Sequence, residues 1–386
     1  IRVSMGCDMN GKKIVKSKTW IPPKNLTPKQ LEKEIERQKV LFEEEVKTGA
    51  CPNSNIKFEP YSKRWLLEYG KQNLAPKTYN RYCEYLKRIN KAIGHIKLQD
   101  LQPLHLNAFY RNLAEDGVNL KAKRDEDGNI IANGKLSPKT IVEHHRVISK
   151  LLSTAVKWNL VKENVARRAD PPKVPAKEID FLNEEETRKM LTALQDEPIT
   201  YKTMIMLLIY TGIRRGELFG LEWKDIDFEN GYLEIVRTSQ YIGNKTLITK
   251  EPKTKSSRRM MKLSNDIIKI LNSYRVWRIE QRFKIGSEWH DTDRLFTQWN
   301  GLPMYPDSLT KWFNKFLKRH NLRQVTLHSL RHTNATLMIA EGTDIRTVAS
   351  RLGHSNTSTT LNIYTHALKS KDTQAAEVLN DILAIS

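Results

Sequence analysis

Cysteine is scarce and scattered. Cys7, Cys51 and Cys83 all fall in the N-terminal third of the 386 residues. Thiols this far apart build neither a disulfide framework nor a cysteine-rich zinc site, and they fit a reducing compartment. Long apolar runs are also missing. The strongest, residues 204–210, falls far short of the roughly 20 residues a membrane span needs. The first residues lack the pattern of a secretory signal. The start at Ile1 rather than Met leads us to expect residues upstream. Acidic residues are in deficit: 44 Asp and Glu face 65 Lys and Arg, a formal net charge of +21. Such a surplus points to a polyanion, and nucleic acid leads, because neutralising phosphates releases counterions. We therefore expect a protein of a reducing compartment that binds nucleic acid.

What is present begins with a basic hairpin. Residues 1–7 and 14–20 read as strands around the turn signal Asn10-Gly11. Thr27 and Gln30 form a capping box with Pro28 at the first helical position, and an apolar stripe (Leu31, Ile35, Phe42, Val46) runs on until Gly49. Residues 1–30 carry seven Lys and Arg against Asp8 alone. Lys12, Lys13, Lys16 and Lys18 are the candidate DNA contacts of this sheet.

From Phe58 to about Arg168 the pattern is helical. Leu74-Ala75-Pro76-Lys77-Thr78 is echoed by Leu136-Ser137-Pro138-Lys139-Thr140. Each puts Pro at a helix start and Lys in the first turn. A lysine there opposes the helix dipole unless an anion is near, so Lys77 and Lys139 are candidate phosphate contacts. The polar stretch 121–135 reads as an exposed loop or hairpin between helices. A Pro/Lys linker spans 169–178. Beyond it, Asn183 with Glu186 opens a new helix, and helices run to about Trp223. Residues 232–236, 241–249 and 259–263 read as one short antiparallel sheet, and helices return from Ser264 to the end.

Four signatures stand in this last part. They are Thr211-Gly212-Ile213-Arg214-Arg215-Gly216-Glu217-Leu218; Pro252-Lys253-Thr254-Lys255-Ser256-Ser257-Arg258-Arg259; His328-Ser329-Leu330-Arg331-His332; and Leu352-Gly353-His354-Ser355 with Tyr364 ten residues after His354. Together, in this order, they resemble the tyrosine site-specific recombinases, the phage integrase family. The resemblance covers the whole chain. It implies a mostly α fold with small antiparallel β-sheets in three domains. Residues 1–50 would bind arm-type DNA, 55–168 would form a helical core-binding domain, 169–178 would link, and 179–386 would be catalytic with a C-terminal tail helix.

It also implies a chemistry that suits these residue types. A protein nucleophile keeps the energy of a broken phosphodiester for rejoining. By resemblance that nucleophile is Tyr364, through a 3′-phosphotyrosyl intermediate. A phenol with a pKa near 10 gives up its proton at neutral pH at a cost of about 4 kcal/mol, so a proton acceptor is needed. Arg214 and Arg331 would hold the non-bridging oxygens, since a guanidinium fork matches phosphate. Lys253 would protonate the departing 5′ oxygen, with Lys250 and Lys255 as the competing lysines. His328 would handle protons near the tyrosine, and His354 would donate to the phosphate. Glu217 reads as a partner of these groups or a helix residue, His332 as a polar helix residue, and Trp223 and Trp312 as core. No metal or cofactor is called for, and no carboxylate cluster suggests one.

The implied partners are double-stranded DNA at core and arm sites, a homo-tetramer on DNA, an excisionase and a host DNA-bending protein. The basic N-terminal module favours the integrase of a Gram-positive mobile element. A cellular chromosome-dimer resolvase and a non-catalytic DNA-binding regulator remain open. Residues 373–385, with Ala376, Leu379, Ile382 and Leu383 at helical spacing, read as a short amphipathic helix. It must pack on a surface, its own or a neighbour's.

Overall fold

The computed structural model describes residues 1–7, 13–22, 27–47, 55–119, 123–124, 130–132, 134–175, 180–242, 246–250 and 258–353. The chain divides into two compact units, Ile1–Ala176 and Lys177–Ser386. The boundary lies within the Pro/Lys stretch 169–178.

In the first unit, strands β1 (Arg2–Cys7) and β2 (Lys13–Ser17) pair antiparallel, with Val3 opposite Lys16. Helix α1 (Pro28–Lys47) starts as expected: the Thr27 backbone N–H donates to Gln30 Oε1 at 3.1 Å. Val3 and Phe42 are buried against each other. The turn at Asn10-Gly11 and the stop at Gly49 lie outside the described residues.

A helical set follows: α2 (Phe58–Trp65), a π turn (Leu66–Gly70), α3 (Lys71–Asn73), α4 (Pro76–Ile93), α5 (Pro103–Leu113) and α6 (Pro138–Lys157). Apolar faces at helical spacing, such as Leu86–Ile89–Ile93 and Ile148–Leu151–Leu152, meet Phe58, Trp65 and Leu106 in one core. The echoed Pro-Lys-Thr segments open α4 and α6. Between α5 and α6, β3 (Lys123–Arg124) and β4 (Ile130–Ala132) form a small antiparallel hairpin.

The second unit opens with α7 (Glu184–Ala193). Glu186 N–H donates to Asn183 Oδ1 at 2.8 Å and Asn183 N–H to Glu186 Oε2 at 2.9 Å, the reciprocal cap the sequence announces. Helix α8 (Ile199–Thr211) is buried nearly all round, and the short α9 (Arg215–Leu218) follows. The expected single sheet is in fact two. Strands β5 (Ile226–Asp227), β6 (Tyr232–Ile235) and β9 (Arg259–Lys262) form one, in the order β5-β6-β9, while β7 (Thr238–Ile242) and β8 (Thr246–Lys250) form a separate hairpin. The break comes at Arg237, whose guanidinium turns onto Asp225 at 2.6 Å and Glu222 at 3.0 Å as the chain leaves the first ladder.

Helices α10 (Asn265–Ile285), α11 (Pro306–Arg319), α12 (Leu327–Ala340) and α13 (Ile345–Leu352) complete the described part. Residues 289–305 are not helical, contrary to the sequence reading. A 3-10 turn with Gly286 at φ 61° ends α10, and the backbone bridges Thr297 to Pro303. Leu218, Leu233, Leu271, Leu295, Phe313 and Leu330 share the core, with Trp223 and Trp312 half-buried against it. Among the described residues no helix is long and apolar enough to cross a membrane, and no group of three or more His, Cys, Asp or Glu is set to hold a metal ion.

Candidate active site

Helix α8 ends in Thr211-Gly212, and the glycine is required twice over. Its φ of +64° is left-handed, and an added Cβ would lie 2.3 Å from Leu352 Cδ2 and 2.7 Å from Asn334 Oδ1. The missing side chain lets the end of α8 meet α12 and α13. Helix α13 ends the same way, at Gly353 with φ 67°. Its last carbonyls therefore lack helical partners and form the electronegative end of the helix dipole.

Three arginines supply the missing donors. Arg259 Nε donates to Arg351 O at 2.7 Å, Arg331 Nη2 to Leu352 O at 2.7 Å, and Arg214 Nη2 to Gly353 O at 3.1 Å. Three guanidinium groups from β9, α12 and the start of α9 are thus ranked along consecutive peptides. Arg331 also donates to Gly212 O at 2.7 Å and is only 2% exposed. Burial, then the charge of Arg214, pushes its pKa down to about 9, so it stays a cation at neutral pH.

Glu217 ties two of the three together. Its side chain is buried, accepts from the Arg214 backbone N–H at 2.9 Å and from Arg214 Nη1 at 2.7 Å, and receives Arg259 at 2.8 Å. Burial alone would push this carboxyl up. The hydrogen bond and charge of Arg259, and then Arg214, more than offset it, and the net displacement is downward. Glu217 is therefore a carboxylate that aims guanidinium groups. Its neighbour Arg215 points elsewhere, to Asp307 at 3.0 Å and Thr310 at 2.7 Å.

Helix α12 is started by Thr326, whose Oγ1 accepts from the Ser329 N–H at 3.1 Å. His328 and Arg331 lie three residues apart in its first turns. The rings of His328 and His332 meet edge to face at 4.7 Å. His328 keeps an exposed edge, yet burial, then Arg331 and Arg214, lowers its pKa. His332 is pushed down to about 4 by burial, then by His328 and Arg331, and its buried Nδ1 has no partner. Both imidazoles are neutral at pH 7.

The described part thus brings Arg214, His328 and Arg331 to one place. Lys253, His354 and Tyr364 lie outside the described residues, as do Lys12, Lys255 and the tail 373–385; the description stops at Gly353, one residue before His354. Of the lysines read as DNA contacts, Lys13 and Lys16 are on β2, and Lys18 lies 5.7 Å over the Phe42 ring. Lys77 and Lys139 are exposed in the first turns of α4 and α6. Arg259 was assigned no role from sequence, although it closes the second signature. Its signal is the strand alternation, which puts Arg259 in line with Met261 and Leu263, both buried.

Two family models match the chain: the phage integrase family over residues 180–371, and the phage integrase N-terminal SAM-like domain over residues 57–114. The chain belongs to the phage integrase family. It is a tyrosine recombinase, an enzyme that cleaves and rejoins DNA. A tyrosine recombinase XerC-like protein of Caldanaerobacter subterraneus subsp. tengcongensis is 29% identical over 99% of this chain and 95% of its own length. The ICEBs1 integrase of Bacillus subtilis is 28% identical over 79% of this chain and 78% of its own. In fold the chain is similar to the Tn1549 transposon integrase solved in complex with transposon right end DNA. That likeness has a TM-score of 0.66 at 22% identity and covers 85% of this chain and all of that one. Arg214, Lys253, His328, Arg331, His354 and Tyr364 all fall inside the span of the longer family match.

Proposed function

We propose that this recombinase integrates and excises a mobile element by cutting double-stranded DNA through a 3′-phosphotyrosyl intermediate. The observation that carries the reading is the pair Arg214 and Arg331, fixed on the adjacent carbonyls of Gly353 and Leu352 at the point where the chain runs on to His354. Two oriented cations side by side suit the two non-bridging oxygens of one phosphate. Tyr364 attacks phosphorus, the P–O5′ bond breaks, and the 5′ oxygen takes its proton from Lys253. The tyrosine proton passes to His328, which is neutral and so able to accept it. His354 donates to the phosphate. Residues 1–50 bind arm sites with Lys12, Lys13, Lys16 and Lys18. Residues 55–168 bind the core site with Lys77 and Lys139. The stretch 169–178 links them to the catalytic part, 179–386. The working form is a homo-tetramer on DNA in the bacterial cytoplasm, at the nucleoid, served by an excisionase and a host DNA-bending protein.

A cellular resolvase is the second reading, favoured by the XerC-like relative that aligns over nearly the full chain. The basic N-terminal sheet supports the mobile-element reading, because resolution of chromosome dimers needs no separate arm sites. One experiment tests the chemistry and removes the non-catalytic regulator. Nicked suicide duplexes tiled across the DNA flanking the gene are incubated with the full chain and resolved on SDS gels. The parent should form a covalent adduct on one of them. Tyr364→Phe should keep DNA binding and form none, and an adduct in that variant would move the nucleophile elsewhere.

A further inference from the structure

We propose that Arg259 is a positioning residue for strand cleavage, holding Glu217, and through it Arg214, in one frame with the end of α13. The inference rests on the function proposed above and concerns a residue that function does not use.

The geometry is specific to a guanidinium. Arg259 Nη2 donates to Glu217 Oε2 at 2.8 Å, Nη1 to Glu217 Oε1 at 3.3 Å, and Nε to Arg351 O at 2.7 Å. The side chain is 7% exposed and Glu217 6%. It stands at the first position of β9, opposite Ile235, so its backbone is fixed by the sheet. A buried ion pair is a poor source of stability, because desolvating two charges costs about what their attraction returns. What such a pair does supply is direction. Glu217 has two oxygens. Oε2 receives Arg259 Nη2 and the Arg214 backbone N–H, and Oε1 receives Arg214 Nη1. Without Arg259 the carboxylate keeps the two donors of Arg214 but loses its tie to β9, so the pair is no longer held to the sheet.

The third contact extends the frame. Arg351, Leu352 and Gly353 present consecutive carbonyls to Arg259, Arg331 and Arg214. Arg259 therefore fixes the base of the turn whose next two carbonyls orient the other two guanidinium groups. A lysine would offer one nitrogen where three donors in one plane are used, so it would keep the charge and lose most of the aim.

The test is single-turnover adduct formation by the full chain on the flanking-DNA suicide duplex that the parent cleaves, with affinity for the same duplex measured in parallel. Arg259→Met should slow adduct formation by about 10²-fold, the low end of the loss for a direct donor, because it acts through others. Affinity should change by less than about threefold. Arg259→Lys should recover part of the rate. Since Arg259 and Glu217 act as one unit, Arg259→Met with Glu217→Gln should be little slower than the slower single variant. If Arg259→Met does not fold, the same cycle is run with Arg259→Lys and Glu217→Asp. Multiplicative losses in the cycle, near-parental cleavage by Arg259→Met, or loss of affinity in step with loss of rate would each overturn the proposal. Arg214→Ala separates the two levels. Normal cleavage by that variant sinks the site reading and this inference together. A dead Arg214→Ala beside an active Arg259→Met sinks this inference alone.

Discussion

Positive charge is held in two ways in this molecule. In the second unit, Arg214, Arg259 and Arg331 are held by carbonyls and by Glu217, and Arg331 is 2% exposed. In the first unit, Lys77 and Lys139 stand exposed, and neither joins an ion pair among the described residues. The helix ends differ as well. The arginines cap a helix C-terminus, where the dipole favours cations, while the lysines sit at N-termini, where it does not. Fixed guanidinium groups suit a step in which charge develops at a defined point. Exposed lysines suit a polyanion met in many registers. The first arrangement supplies direction and the second only sign.

The comparison breaks hardest at Arg331. If direction matters, Arg331→Lys should lose cleavage by about 10²–10³-fold while keeping the charge, because one ammonium cannot serve the carbonyls of Gly212 and Leu352 and a phosphate together. The reverse exchange, Lys77→Arg, should change binding less than about twofold. The measurements are adduct formation and duplex affinity. Equal tolerance of both exchanges would erase the distinction.

The next effect is on stability, and its sign follows from His332. Burial, then His328 and Arg331 beside it, with Asp180 opposing, pushes its pKa from 6.5 to about 4. Between those values the unfolded chain binds a proton that the folded one refuses. Stability should therefore be fully present above pH 6.5 and fall as pH drops toward 4, by about 3 kcal/mol from this group. His332→Leu should remove that share of the slope, read by urea denaturation between pH 7 and 4.5. His328, also lowered, contributes a slope of the same sign. An unchanged slope in the variant would mean His332 is protonated in the fold.

Much of this arrangement was legible in the residues, and the limits have physical causes. The caps at Thr27 and Asn183 and the prolines opening α4 and α6 act within one helical turn, so local sequence suffices. Thr-Gly at the end of α8 was readable as a motif, but its reason, an approach to Leu352 that leaves no room for a Cβ, exists only once α13 is packed. At the split of the sheet Arg237 is paired with Asp225 and Glu222, residues far enough off that no alternation pattern reports them. The π turn after Trp65 had no sequence signal at all. A strand arginine is ordinarily a surface group; the alternation of Arg259 with Met261 and Leu263 marks the core face in the sequence, but its partner Glu217 is visible only in the fold.

The smallest expected effect lies on the lysine side of the comparison. Lys77 and Lys139 occupy matching positions in two helices that begin alike, each exposed and each working against its own helix dipole. If each meets a phosphate, replacing it by alanine removes one counterion-releasing contact. The slope of log affinity against log salt should then flatten by about 0.9 for either variant and about twice that for both. Affinity at low salt should fall by less than about tenfold each, and the rate of adduct formation at saturating DNA should stay near the parent's. Thermal stability should be unchanged or slightly raised, because a cation leaves a helix N-terminus. A slope unchanged by both substitutions would mean that neither lysine touches DNA and that the echo in sequence reflects helix initiation alone. A large fall in saturated cleavage rate would blur the comparison from the other side, by giving an exposed lysine the directional role proposed for the carbonyl-held arginines.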